Sequence, residues 1–548
     1  MRFLILSTIL YFSVSLAHAE SPAAEELDPA EIMHGERLFL ETRFAQFFAA
    51  HHEDINTPLK KGDPALEKTA EYNGSYAGKS FNCRACHLVD EHIEQTELGM
   101  RSYSDFEARS PLPTRDDGKF VTVRNSPALV DATLPRINFM LHFDGEFESL
   151  VALVRGTLTG RNMGWLPGEK QQAIQHICKV VREDNGASEL AEEFGGLSYQ
   201  EVFSGIGKNG DSVASEYLLP KNLRIDSENI DCDQVFAATA DLIAIYIDDL
   251  RFAEDESIIS PYDLFLKINQ LPSKVDEEQD HQSYSEDLIT RINELEKENK
   301  LKFVSKNPNT DDGTFQFHKQ QAFEFGEKQL AGMRLFFAKG KKDKTHSGNC
   351  VACHPAPHFT DFDLHNTGIT QLEYDGIHGQ GSFNKLEIPS VNKRDKQTEL
   401  YLPPTHNNPD RQGIYRSIPS KENSMATDLG AWNILFNSDF SIAQQSIYGA
   451  LCLTNGLDIC TSRDDILKRS IAAFKTPSLR NLGHSAPYMH NGSLKDLAST
   501  VSIYQVLSIQ TREGMVRNPD PDIANINIQA EDAEIITAFL QSLNEDYH

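Results

Sequence analysis

The chain has 548 residues, with 81 acidic against 52 basic side chains and a formal charge of −29. That surplus argues against nucleic acid and against anionic membrane surfaces as partners, and a basic protein is the kind of partner it would favour. The length allows two or three domains, each with its own core, and beyond the N-terminal stretch no run reaches the ~18 consecutive apolar residues of a membrane span.

Residues 1–19 read as a secretory signal. Arg2 supplies the positive start, 3–16 is largely apolar, and Ala17-His18-Ala19 fits the small-x-small cleavage rule. No cysteine follows the cleavage point, so no lipid anchor is expected there. The stretch 31–42 carries Ile32, Leu38 and Phe39 among polar residues, an amphipathic helix pattern, and contains Gly35-Glu36-Arg37-Leu38-Phe39.

Next comes Cys83-Arg84-Ala85-Cys86-His87, and much later Cys350-Val351-Ala352-Cys353-His354. Two cysteines at this spacing can form thioethers to both vinyl groups of one haem, and the adjoining histidine then reaches the iron. A single Cys-x-x-Cys is equally a zinc half-site or a redox dithiol. Two copies, each followed by histidine in a chain with an export signal, point to two covalent haem c groups. Cys83, Cys86, Cys350 and Cys353 would bind the cofactors, with His87 and His354 on the irons. Covalent haem in an exported chain predicts a bacterial periplasm.

Other text repeats in the same order. Gly332-Met333-Arg334-Leu335-Phe336 echoes the run at Gly35. His142-Phe143-Asp144-Gly145, with Leu150 beyond it, matches Met489-His490-Asn491-Gly492 with Leu497 at the same offset. Asn125-Ser126-Pro127-Ala128-Leu129 similarly matches Thr476-Pro477-Ser478-Leu479. The repeated order predicts a duplicated unit. The expected fold is mainly α, with two cytochrome c-like haem domains in tandem and long loop insertions. After the signal, the expected divisions are 20–271, a polar linker over 272–312 with one exposed helix over 284–301, and 313–548. Helical spacing recurs over 150–158, over 241–252, and in Ile535, Ile536, Phe539, Leu540 and Leu543.

Two stretches exceed a minimal haem unit, 165–235 and 374–471. Lids, partner surfaces and decoration are all consistent with their composition. Of the remaining cysteines, Cys452 and Cys460 are close enough to staple one loop, and Cys178 and Cys232 would then form the other bridge. The two other pairings stay open.

With the duplication in place, the chain resembles the bacterial di-haem cytochrome c peroxidase and MauG family. The resemblance rests on both haem motifs and on Arg124-Asn125-Ser126-Pro127, Phe143-Asp144-Gly145, Asn162-Met163-Gly164 and Ser260-Pro261-Tyr262-Asp263. In the second half it rests on Phe359-Thr360-Asp361, Lys475-Thr476-Pro477-Ser478-Leu479-Arg480-Asn481 and 486–494. It implies a peroxide-reacting N-terminal haem and a C-terminal haem that relays electrons. The donor would be a small periplasmic cytochrome c or cupredoxin, or a protein substrate whose residues are oxidised. It also implies a calcium ion on the Asn125 side chain and the carbonyls of Ser485 and Pro487.

The position of the second haem's sixth ligand falls on Tyr504, with Met489 as the alternative; tyrosine at this position marks the MauG-type branch. At the first haem, the distal glutamine and glutamate positions fall on Leu153 and Asn162, and asparagine can hydrogen-bond oxygen but not act as acid–base. No histidine occurs between Met100 and Arg124. His142, His51 and His52 are therefore the candidate bases. Phe143 replaces the family's inter-haem tryptophan, with Trp165 as a substitute. A non-catalytic electron-transfer cytochrome, closed at the first iron by Met100 or Met163, is the competing reading.

Overall fold

The computed structural model describes residues 28–57, 79–87, 109–252, 259–276, 279–308, 316–317, 320–340, 346–440, 442–452, 460–545 and 547. The signal expected over 1–19 and Met100 lie outside the described residues. The architecture is helical, and among the described residues its sheet is confined to two two-stranded antiparallel ladders. One pairs Gln316–Phe317 with Gln321–Ala322, and the other pairs Leu364–His365 with Phe474–Lys475. Among the described residues no helix is long and apolar enough to cross a membrane.

Helices Ala30–Phe39, Leu150–Leu158 and Lys170–Glu183 all pack on the long helix Cys232–Asp249. Asp231 starts that helix, accepting from the Gln234 amide while Gln234 reaches back, so two orphan donors are satisfied at once. The stretch 165–235 is not peripheral. Ile174, Ile177, Tyr199, Val202, Phe203 and Leu219 from it are buried in the same core as Phe39 and Ile243. A Cys178–Cys232 disulfide ties Lys170–Glu183 to the start of Cys232–Asp249.

In the second half, Glu327–Phe337 crosses Asp532–Gln541, which also packs on Leu497–Arg512. The two halves cross their helices in the same way. Gly35 lies against the Leu242 carbonyl and Tyr246, and Gly332 lies against the Ile535 carbonyl and Phe539. A Cβ at either position would collide with backbone, so the repeated glycine marks a close helix crossing. The duplicated Gly turns also coincide. Leu141 bridges Phe147 around His142, and Tyr488 bridges Leu494 around Met489. His142 and Met489 share left-handed backbone, at φ 61° and 72°.

The exposed linker helix expected over 284–301 is corrected by the structure. The helix runs His281–Lys297 and buries Tyr284, Leu288 and Ile292 in the second-half core. Their i, i+4, i+8 spacing makes a narrow apolar stripe within a charged segment. Gln282 donates to the carbonyls of Val351 and Ala352, so the helix braces the second haem motif. Pro261–Ile268 packs into the same core through Tyr262, Phe265 and Leu266. A third core is built mainly by 374–471 around Trp432, Tyr415 and Ile447, and it takes in Met140 and Phe143 from the first half. Cys452 and Cys460 form a disulfide within that stretch.

Candidate haem sites

Each Cys-x-x-Cys-His motif forms a single tight turn, Cys83–Ala85 and Cys350–Ala352. The amides of His87 and His354 donate to the carbonyls of Cys83 and Cys350 at 3.0 and 2.8 Å. That turn gathers both cysteines and the histidine at one edge, as attachment to one haem requires. All four cysteines are free of disulfides.

The histidine rings are oriented by their Nδ1 atoms. His87 Nδ1 lies 2.9 Å from the Pro127 carbonyl and His354 Nδ1 lies 2.8 Å from the Phe359 carbonyl. A carbonyl only accepts, so Nδ1 carries the proton and Nε2 presents a lone pair, the arrangement that orients metal-ligating histidines. Burial, with a smaller contribution from His142, holds His87 down to about 4, against the opposing pull of the Pro127 bond. The ring therefore stays neutral and able to ligate.

In front of His87 lies a cavity of about 900 Å³, in the range of cofactor pockets. Its walls include Asn125, His142, Phe143, Asn162 and Trp165. Asn162 is exposed on the short Arg161–Met163 turn. Leu153 packs into the first-half core, as does Met163. Phe143 is buried and accepts from the Lys475 amide at 2.7 Å, while Trp165 donates to the Phe44 carbonyl at 3.3 Å. His51 and His52 instead stack on Phe47 and Phe48. Of the three candidate bases, His142 is the one that lines the cavity.

Residues from 374–471 complete the walls, among them Pro403, His406, Arg416, Asp439 and Phe440. Arg416 binds Glu146 at 2.5 Å. Asp428 binds Arg124 through two oxygens, at 2.5 and 2.8 Å. Sequence reading missed Glu146, Arg416 and Asp428, whose partners lie hundreds of positions away.

Tyr504, on Leu497–Arg512, packs against the core that includes Cys350 and Met489. Burial, then the neighbouring Cys353 and Cys350, pushes its phenol well above the ordinary tyrosine range. It makes no hydrogen bond among the described residues. A phenol of this kind ionises only beside a strong positive charge, which a haem iron supplies.

Two buried cations bear on cofactor fit. Lys475 has no ion pair among the described residues; burial, then Arg136, pushes it down to about 7. Arg136 is lowered to about 10 by burial. It spends its donors on the carbonyls of Ala132, Leu134 and Met140. A buried cation without an ion pair, as Lys475 is, calls for an anionic partner, and haem propionates have the right charge. The residues thus fit the cofactor that the motifs imply.

Asn125 and Pro487 are brought together, the Asn125 amide nitrogen lying 2.5 Å from the Pro487 carbonyl. The Asn125 Oδ1 accepts from the Ser126 amide. This pair fits a calcium ion only with the amide turned over, so that Oδ1 faces the carbonyl of Pro487.

No family model matches the chain. A cytochrome-c peroxidase, IdrP2 of Denitromonas iodatirespirans, is 26% identical over 200 residues, 36% of this chain and 37% of that protein. The methylamine utilization protein MauG of Methylophilus methylotrophus is 40% identical over 73 residues, 13% of this chain and 20% of that protein. The chain thus spans little more than a third of one relative and a fifth of the other. Two similar solved structures are a MauG-like protein associated with microbial copper homeostasis and the diheme peroxidase BthA from Burkholderia thailandensis. The first is 14% identical with a TM-score of 0.41, covering 98% of this chain and 96% of that one. The second is 13% identical with a TM-score of 0.43, covering 95% and 88%. Both sequence relatives carry names of the di-haem cytochrome c peroxidase and MauG family, and the chain is similar to that family over the stretches they cover.

Proposed function

We propose that this protein is a periplasmic di-haem c oxidoreductase that reduces hydrogen peroxide at the His87 haem. Electrons would be relayed through the haem held by Cys350, Cys353 and His354, with Tyr504 as its sixth ligand. Cys83 and Cys86 would anchor the first haem, and the protein would consist of two haem units with 259–308 belonging to the second. A calcium ion at Asn125 would brace the join between them.

The observation that carries this reading is the asymmetry of the two histidines. His87 faces a cavity of about 900 Å³, room for a haem and a small oxidant, whereas the His354 motif has a half-buried tyrosine close by. Met163, one of the two methionines that could close the first iron in an electron-transfer cytochrome, is instead packed in the core. Haem supplies the redox chemistry when bound. The chain's own part is to orient the two histidines through the carbonyls of Pro127 and Phe359, to neutralise the propionates with Lys475 and Arg136, and to exclude bulk water.

A second reading, oxidation of residues in a partner protein as the MauG relatives suggest, is favoured by Tyr504. A phenolate ligand lowers the potential of its haem relative to a thioether, which suits removal of electrons from a difficult donor.

Rapid mixing of the holoprotein with hydrogen peroxide tests the proposal. Spectral change at a high-spin haem, restored by a small reduced cytochrome or cupredoxin, is the expected result. Two low-spin haems without peroxide reaction would overturn it. Tyr504→Phe should change the absorption spectrum and raise the potential of the second haem only, and an unchanged spectrum would remove Tyr504 as a ligand.

A further inference from the structure

The wall of the His87 cavity presents a group of residues that the reading above leaves unused. His142 Nδ1 lies 3.0 Å from Glu146 Oε2. Glu146 in turn meets Arg416 at 2.5 Å, and Arg416 lies 3.5 Å from Asp144. Asp144 is also paired with Arg124 at 2.7 Å. We infer that His142 is the proton-transferring residue of the His87 site and that Glu146 and Arg416 are its positioning residues; this rests on the peroxide reaction proposed above.

Tautomer comes first. An ionised carboxylate only accepts, so the bond to Glu146 places the imidazole proton on Nδ1 and leaves Nε2 as a lone pair. Burial opposes ionisation of Glu146, but the Arg416 charge and the His142 bond outweigh it and hold it well below the usual carboxylate range. The carboxylate thus stays available to fix the ring and to stabilise the imidazolium once His142 takes a proton.

Position comes second. His142 lines the same cavity as His87 and is 28% exposed at its side chain, so a small molecule in the cavity can reach it. It stands where the second copy has Met489, in the same bridged turn and the same left-handed backbone. Phe147 packs edge-on against the ring at 4.9 Å, which limits its rotation. A non-glycine residue held at positive φ is uncommon and costs energy that the surroundings must supply.

Charge comes third. His142, Asp144 and Glu146 are spaced like a metal site. Asp144 and Glu146, however, are already engaged by guanidinium groups, and a cation would have to displace these. The groups facing His142 are Glu146 and Asp144 on its own turn, Arg124 from the preceding segment, Arg416 from 374–471, and Lys119 and His87 on the cavity wall. Asp428 extends the cluster through Arg124.

The overall change is hydrogen peroxide plus two electrons and two protons giving two waters. The O–O bond breaks, the oxygen is reduced and the electron donor is oxidised, with haem supplying the redox chemistry when bound. His142 handles only the proton: Nε2 accepts it from one peroxide oxygen and returns it to the other, which leaves as water. Asn162, at the family's acid position, cannot take that part.

The test compares wild type, His142→Gln, Glu146→Gln, Arg416→Ala and Arg416→Lys as holoproteins with haem content checked. Two readouts are the rate of reaction with hydrogen peroxide and the rate of hydrogen cyanide binding to the ferric protein, which also needs a base to take its proton. His142→Gln should slow both by about 10²–10⁴-fold and abolish the acid-side fall in the wild-type cyanide profile. Glu146→Gln and Arg416→Ala should move that acid limb, and Arg416→Lys should restore it in part. Cyanide binding by His142→Gln within about threefold of wild type, with its pH profile retained, overturns the inference. A wild type inert to peroxide but with a His142-dependent cyanide rate would sink the peroxide reading alone. Should His142→Gln fail to fold, the Glu146→Gln profile decides, and an unshifted acid limb counts against the inference.

Discussion

Asp428→Asn is a sharp test of how 374–471 is bound to the first half of the chain. Arg124 donates to both oxygens of Asp428, and both side chains are buried, at 9% and 6% exposure. Asn keeps the shape and the Oδ1 that accepts from the Gly430 amide at 3.0 Å, but its amide nitrogen replaces the Oδ2 that accepts from Arg124 Nε, so the loss is one charge and one hydrogen bond rather than a cavity. Removing one partner of a buried pair costs about 3–5 kcal/mol because the other is left uncompensated. Asp144 still faces Arg124, which sets the expectation near the lower end, about 3 kcal/mol. At about 2–4 °C per kcal/mol, the transition reporting this region should fall by roughly 6–12 °C. Lys328→Ala serves as control: its pair with Glu534 is as short, at 2.5 Å, but exposed, and should cost under ~1 kcal/mol. The pH dependence adds a second check. Burial opposes ionisation of Asp428, yet Arg124 holds its pKa below the ordinary 3.8. Its contribution is therefore present above pH 3.8 and lost as pH falls through the lower folded value, so the gap between wild type and variant should close in acid. Thermal unfolding followed by circular dichroism reads both effects. A shift no larger than that of Lys328→Ala would refute the buried-pair reasoning.

Two further outcomes follow from the same geometry. Gly35→Ala and Gly332→Ala should each lower stability by about 1–3 kcal/mol through overpacking at the helix crossing, read by urea unfolding, whereas Gly376→Ala, with open space around it, should not. Glu41 is buried; burial opposes its ionisation, but Arg43 and Tyr199 hold it at about 2 against an ordinary 4.5. Its stabilisation is therefore present above pH 4.5 and lost towards pH 2, on the order of 3 kcal/mol; Glu41→Gln should flatten that part of the stability–pH curve.

What the sequence discloses here is local or periodic. The two Cys-x-x-Cys-His turns are legible because their spacing is the one that thioether attachment to a haem would need. The repeated Gly35 and Gly332 runs are legible because a close helix crossing tolerates no Cβ. The helix over His281–Lys297 was misread because its buried stripe is only Tyr284, Leu288 and Ile292, one residue per turn in a charged background. The pairing of Arg416 with Glu146 spans 270 positions, and that of Arg124 with Asp428 spans 304. Nothing in the local pattern of a lone arginine in a polar loop names a partner that far away. The burial of Met140 and Phe143 against 374–471 is hidden for the same reason.

The duplication gives those long-range contacts their meaning. Both copies keep the glycine crossing, the attachment turn, and the bridged turn that holds His142 in one half and Met489 in the other. They part on the far side of each histidine. In the second copy, Tyr504 on the helix after the Gly turn lies beside the attachment cysteines. In the first, the corresponding helix Leu150–Leu158 contributes Val151, Ala152 and Arg155 to an open cavity, and the missing wall comes from the other copy's insertion. An insertion in one unit that closes the site of its twin couples the two units. A change at Arg416 or Asp428, which lie in the second unit, should therefore be felt first at His87. An ordinary tandem pair with independent sites has no such dependence.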